Sequence, residues 1–349
     1  MSLSSDIVRE ILKRVDGITL ASAECSSSDV RSVIKEQGLW EDACSSLWPS
    51  TANHEVKQLI FSMGGFNKFY ADCFPLINVS KQLIVNSRKD CQEILNPLDE
   101  DDDREEIDDA VFLSDFVSVV DIHYNSEAFY SKIVWEIPAA DDIIDCRSST
   151  IFPLVINLPC DSDGTLFAVS TNGEEDVERI IFSANLRLSW ILINRRTKNA
   201  VNLSSWRPLE AQKHNWGCNN DFTIRFGSIL PAHGSLPLKL AACNIVVKGT
   251  VSVGQEGNDL QITGVSMQLE DMMGCQVNAR DGLFVLQRAV ECGKRSKNHD
   301  QVIQNYYDVL EIQNDLMEEN LGAKSHMDPL CMLLLIGVAI LSWYYFLKT

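Results

Sequence analysis

The residues most suggestive of chemistry form the short segment CDSDGTL at 160–166, in which Asp161 and Asp163 stand two positions apart. In one class of Mg²⁺-dependent phosphatases, the first of two aspartates at this spacing attacks the phosphoryl group and the second serves as acid and base. That chemistry requires a parallel α/β sheet, a supporting lysine and a later pair of acidic residues. None of these is evident in the surrounding sequence. A polar turn is the favoured interpretation, and a hydrolase using the two aspartates remains an alternative.

A second candidate, His233-Gly234-Ser235, lacks the G-x-S-x-G pattern that sets a nucleophilic serine on a sharp turn. Pro231 and Pro237 lie on either side of it and favour a loop. The phosphate-binding patterns G-x-x-x-x-G-K-S/T and G-x-G-x-x-G are absent. None of the eleven cysteines forms a C-x-x-C pair. The sequence therefore predicts no catalytic residue, no cofactor and no metal ion.

The composition narrows the class of protein. The chain has 349 residues, of which 45% are hydrophobic, so it can bury more than one core and is not a disordered protein. Its formal charge of −19, with no basic cluster, argues against nucleic acid as a partner. The odd number of cysteines and the absence of a signal peptide favour a reduced, cytosolic location for the bulk of the chain.

The long central part, from about 114 to 295, is typical of an antiparallel β domain. Its runs are short and rich in Val, Ile and aromatic residues, and turn signals separate them. In NLRLSWILI the alternation places Leu186, Leu188, Trp190 and Leu192 on one face of a strand. No helical period alternates with these strands, so a β-sandwich or a barrel-like domain is predicted rather than a parallel α/β sheet.

Two segments with extreme composition flank this domain. Residues 99–109 hold nine acidic residues and one arginine, which predicts a solvated linker over 81–113. Residues 329–347 contain no charge, and a helix of this length would span roughly 30 Å of hydrocarbon. This pattern predicts a transmembrane tail anchor, preceded by a juxtamembrane helix over 299–322. The bulk would then face the cytosol, with the endoplasmic reticulum favoured as the organelle.

The N-terminal fifty residues predict three short helices. In the first, Ile7, Ile11, Leu12 and Val15 share one face. Gly17 follows, where a left-handed helix end would suit glycine, and Thr19 is positioned to cap a second helix. A third helical stretch ends at Leu39-Trp40.

This N-terminal pattern resembles an F-box. The residues that carry the resemblance are Arg14-Val15-Asp16-Gly17, then Leu20-Ala21-Ser22-Ala23-Glu24-Cys25, and then Leu39-Trp40. Trp48-Pro49-Ser50 and the segment 188–208 are similar to a subset of plant F-box proteins, in which the F-box precedes a β-rich domain. The expected organisation is an α+β multidomain chain with an F-box over 1–50, a helical extension over 51–80 and a client-binding β domain over 114–295.

The resemblance implies a non-catalytic subunit of an SCF-type cullin-RING ubiquitin ligase. Its N-terminal helices would bind an SKP-family adaptor, and through it the cullin and the RING protein, while the β domain would hold an unidentified client. The residues expected at the adaptor surface, or in the core that supports it, are Ile7, Ile11, Leu12, Val15, Leu20, Leu39 and Trp40. The alternative from a different class is a membrane-tethered β-sandwich that binds lipid, sugar or protein without a link to ubiquitin.

Overall fold

The computed structural model describes residues 5–25, 27–35, 37–95, 113–136, 153–159, 166–169, 185–214, 221–232, 239–253 and 258–319. Helices dominate the N-terminal part, and antiparallel strands follow. The helices are α1 Ser5–Leu12, α2 Gly17–Ala23, α3 Ser28–Ile34, α4 Gln37–Leu47, α5 His54–Ser62, α6 Phe66–Cys73, α7 Lys81–Leu95, α8 Ala279–Cys292 and α9 over 299–319. Short 3-10 helices form at Pro49–Ala52 and Leu113–Asp115.

The strands form three antiparallel sheets within these residues. Their bounds are β1 Leu76–Asn78, β2 Phe116–Tyr124, β3 Glu127–Val134, β4 Val155–Pro159, β5 Leu166–Val169, β6 Leu186–Asn194, β7 Asn199–Asn202, β8 Glu210–His214, β9 Asp221–Pro231, β10 Leu240–Val253, β11 Asn258–Asp271 and β12 Lys294–Ser296. The first sheet has the order β3-β2-β6-β7, and the second has the order β4-β11-β10-β9-β8, with β5 also paired to β11. Strands β1 and β12 form a separate ribbon.

Strand β2 lies at the centre of the layered structure, because all nine of its residues are buried. On one face, Phe116, Val120 and Ile122 join the core between the two sheets. On the other face, Val117 and Val119 pack into the core of the N-terminal helices. Because side chains alternate across a strand, one set of β2 residues packs into each of the two cores.

The second sheet is also covered on both faces. Its inner side chains pack against the first sheet and against α8, which contacts β6, β7 and β9. On its outer face, Leu240 and Ala242 of β10 pack against Tyr306, Val309 and Leu316 of α9. The Tyr306 hydroxyl donates a 2.6 Å hydrogen bond to Asn244 Oδ1 of the same strand. Helix α9 is therefore part of the packed body rather than a free stalk.

The structure confirms the predicted α+β class with N-terminal helices and antiparallel sheets, and it modifies several details. The region predicted as three helices contains four, because α3 and α4 are separate. Residues 81–95, assigned from sequence to the acidic linker, form α7, which an ion pair of 3.0 Å from Arg88 to Asp315 joins to α9. The acidic run 99–109 and the segments with Asp161, Asp163 and His233 lie outside the described residues.

The membrane anchor requires a correction. Among the residues that the structure describes, no helix is long and apolar enough to cross a membrane. Segment 329–347, on which the prediction rested, lies outside those residues. The single-pass membrane location and the assignment to the endoplasmic reticulum are therefore withdrawn.

Candidate functional site

Helices α1 and α2 expose an unusual set of large apolar side chains. Ile7 and Ile11 of α1 are 51% and 53% exposed, and Ile18 of α2 is 49% exposed. Ile7 and Ile11 are one helical turn apart and therefore lie on the same face. We call Ile7, Ile11 and Ile18 the isoleucine surface. They are the exposed large apolar residues of the first two helices, and contiguous exposed apolar patches are typical of protein-binding surfaces.

The other residues predicted for this site are buried or partly buried. Leu12, Leu20, Leu39 and Trp40 are buried, and Val15 is partly buried against the same cluster. Which of the predicted residues contact an adaptor stays a prediction. The exposure of Ile18 was not predicted, although a lone isoleucine between Gly17 and Thr19, outside the apolar period of α2, is the signal that could have revealed it.

The start of α2 differs from the sequence prediction. The N-cap is Asp16, whose side chain accepts a 2.8 Å hydrogen bond from the Thr19 backbone N–H. Hydrogen bonding with the Thr19 side chain, and after it with the Thr19 backbone, lowers the pKa of the Asp16 carboxyl. Gly17 is the first helical residue and does not adopt a positive φ. Glycine is needed because a Cβ at this position would lie 2.3 Å from Cζ of Tyr70. The two predictions of a Thr19 cap and a left-handed glycine are thus wrong.

Tyr70 is at the centre of an aromatic cluster that fixes the helices to one another. Its ring centroid lies 5.3 Å from that of Trp40, 5.8 Å from that of Trp48 and 4.9 Å from that of Phe74. Desolvation raises the pKa of the Tyr70 phenol. Trp40 and Trp48 are both buried, so the two tryptophans serve the core that holds the isoleucine surface in place.

Polar side chains join the helical module to the first sheet. Trp48 Nε1 donates a 2.9 Å hydrogen bond to Ser189 Oγ of β6. Asp121 of β2 accepts hydrogen bonds from the backbone N–H and the hydroxyl of Ser50, and from the hydroxyl of Ser131. Desolvation raises the pKa of this buried carboxyl in spite of its three donors. The module is therefore one continuous body with the sheet.

A cavity of about 600 Å³ opens where the helices meet the first sheet. Its lining includes Leu39 and Phe74 from the helices, and His123, Arg187 and Trp206 from the sheet side. Burial lowers the pKa of His123, which favours the neutral imidazole. Within the described ranges, no group of three His, Cys, Asp or Glu residues could hold a metal ion.

The fold and the site define a helical module that shares its core with an antiparallel β-sandwich and exposes apolar side chains on its first two helices. The curated relatives of this chain are plant F-box proteins, which confirms the resemblance inferred from its sequence. F-box protein At2g27310 of Arabidopsis thaliana is 27% identical over 99% of this chain and 96% of its own length. Probable F-box protein At2g36090 of the same plant is 26% identical over 84% of this chain and 75% of its own length.

A shorter similarity is found with F-box protein GID2 of Oryza sativa subsp. japonica, which is 34% identical over 71 residues. That match covers 20% of this chain and 34% of the relative. No family model matches the chain. No solved structure matches it either.

Proposed function

We propose that this chain is the substrate-recognition subunit of an SCF-type cullin-RING ubiquitin ligase. Its N-terminal helices bind an SKP-family adaptor, which connects it to the cullin and the RING protein. Its β layers hold the client. The observation that carries the proposal is the isoleucine surface, exposed on α1 and α2, in a chain whose full-length relatives are F-box proteins.

The energetics of the isoleucine surface support a protein partner. Burying the exposed half of one isoleucine contributes about 1 kcal/mol, so Ile7, Ile11 and Ile18 together supply about 3 kcal/mol towards association. The residues beneath them are fully packed, so the surface is preorganised and little conformational entropy is lost on binding. No bond is broken by such a subunit. It raises the rate of modification by holding the client near the charged E2, which replaces a bimolecular encounter with a local one.

The test introduces a charge into the isoleucine surface without disturbing the fold. Ile11→Asp places a carboxylate on a half-exposed position, so the free chain should keep its helicity and its melting temperature within a few degrees. Desolvating that carboxylate against an adaptor costs several kcal/mol, and we expect affinity for a purified SKP-family adaptor to fall at least about 100-fold. Isothermal titration calorimetry measures the loss.

The matched control is Val85→Asp on α7, because Val85 is 50% exposed and lies outside the isoleucine surface. This variant should bind the adaptor as the unaltered chain does. If Ile11→Asp binds the adaptor as tightly as the unaltered chain, or if both variants lose the same affinity, the isoleucine surface does not bind the adaptor.

A further inference from the structure

The cavity between the helices and the first sheet contains an unusual histidine. His123 of β2 is only 4% exposed, yet neither Nδ1 nor Nε2 has a hydrogen-bond partner. A neutral imidazole has one N–H donor and one acceptor nitrogen, and buried polar atoms of this kind are nearly always satisfied. Because His123 lines the cavity, a ligand in the cavity could supply the missing partner.

The residue opposite His123 adds a cation at the same place. Arg187 of β6 pairs directly with His123 across the antiparallel ladder, so the two side chains project from the same face of the sheet. Arg187 also lines the cavity. Desolvation, and after it the nearby Arg207, lower the pKa of the Arg187 guanidinium. An anion beside Arg187 would offset both effects.

The cavity lining carries charged side chains of both signs. Its lining holds three cations, Lys13, Arg14 and Arg187, against two carboxylates, Asp16 and Asp42. Lys13 is already paired with Glu10 at 3.0 Å, so Arg14 and Arg187 are left to balance the two carboxylates. Arg187, directly opposite the unpartnered His123, is therefore the feature of the lining that favours an anionic ligand.

The remaining walls are apolar and rigid. Trp206 has a φ of 64°, which bulky residues rarely adopt, and its ring centroid lies 6.3 Å from that of His123. A hydrogen bond of 3.2 Å from the Leu188 N–H to the Trp206 carbonyl oxygen and one of 3.1 Å from the Trp206 N–H to Ser204 Oγ hold this conformation. Phe74 and Leu39 supply apolar surface from the helical side. A volume of about 600 Å³ suits a small molecule.

We propose that this cavity is a binding site for a small amphipathic organic acid. His123 donates a hydrogen bond to the acid oxygens, and Arg187 pairs with their charge. The apolar body of the ligand packs against Trp206 and Phe74. Ile18 of the isoleucine surface also lines the cavity, but Ile11, His123 and Arg187, which test the two proposals, each belong to only one of the two sites, so the proposals can fail independently.

The test compares two probes that differ in one charged group. They are 8-anilinonaphthalene-1-sulfonate, an amphipathic aromatic anion, and N-phenyl-1-naphthylamine, which lacks the sulfonate. Fluorescence titration of the full-length chain should give one site that prefers the anion. We expect His123→Phe, which keeps an aromatic ring at this position and removes both nitrogens, to weaken binding of the anion at least tenfold and to change binding of the neutral probe less than twofold.

The control is His54→Phe, the same substitution on α5 outside the cavity, and it should change neither probe. Arg187→Gln supplies the same test at a half-buried position if circular dichroism shows that His123→Phe is unfolded. Equal affinity for both probes, or anion binding unchanged in His123→Phe and in Arg187→Gln, would overturn the proposal. Displacement of the anion by inorganic phosphate at equal concentration would also overturn it, because the apolar walls would then contribute nothing.

Discussion

Trp48 and Ser189 are 141 residues apart in the sequence and are joined by a buried hydrogen bond of 2.9 Å from the indole Nε1 to the serine hydroxyl. Around this bond, Trp48 shares one apolar cluster with Val117 and Ile191 of the first sheet. The end of α4 and the middle of β6 are therefore held by the same set of contacts. A substitution on either side should therefore lower the stability of the helices and the first sheet together.

The hydrogen bond between Trp48 and Ser189 gives a first prediction. Trp48→Phe leaves the Ser189 hydroxyl without its donor and opens a small void, so the free energy of unfolding should fall by about 2 kcal/mol. Urea denaturation followed by circular dichroism measures the change. In the double variant with Ser189→Ala, both partners are absent, and the total loss should be about 1 kcal/mol smaller than the sum of the single losses. Strict additivity would show that the bond contributes nothing.

The buried carboxyl of Asp121 predicts a pH dependence of stability. Its pKa is raised in the folded chain, so the folded state binds the proton more tightly than the unfolded state does. The contribution of this group is therefore fully present below the unfolded pKa, near pH 4, and is lost as the pH rises through the folded pKa. Asp121→Asn removes the titration. The stability of the unaltered chain relative to this variant should fall as the pH rises from about 4 through the folded pKa.

The measurement is urea denaturation of both chains at several pH values in that interval. Ser131→Ala serves as the control, because it removes one donor to Asp121 and leaves the titrating group in place. A constant difference between Asp121→Asn and the unaltered chain would mean that the carboxyl stays ionised throughout.

The close contact at Gly17 gives a matched pair of glycine substitutions. Gly17→Ala would force the added methyl group against Tyr70, and displacing that ring should cost about 2 kcal/mol of unfolding free energy. Gly38 lies in α4, and a methyl group added there would meet no heavy atom within 4 Å, so Gly38→Ala should stabilise the chain by up to about 1 kcal/mol. Thermal denaturation distinguishes the two. Equal shifts would contradict the packing role of Gly17.

Local sequence patterns predicted the individual helices and strands, but they did not predict the contacts between them. The alternation of Leu186, Leu188 and Trp190 correctly predicted an inward face of β6. The apolar residues of the opposite face, Ile191 and Ile193, were given no partner, although a run such as 190–193 that is apolar on both faces is typical of a strand buried on both sides. That signal was present and could have predicted the helical layer.

Other features have no local signature. The bond between Trp48 and Ser189, the position of Tyr70 over Gly17 and the cavity around His123 all join segments distant in the sequence. Nothing in the residues next to His123 indicates that its ring would be buried without a partner. Such features arise only once both layers are assembled, so no local pattern could have predicted them.

Strand β2 seals two cores with one set of residues, and this ties the evolution of the helices to that of the sandwich. A replacement at Val117 or Val119 must suit the helical cluster, while its neighbours at Phe116 and Val120 must suit the other sheet. Joining the N-terminal helices to an unrelated recognition domain would therefore also require a strand whose apolar face matches that of Val117 and Val119.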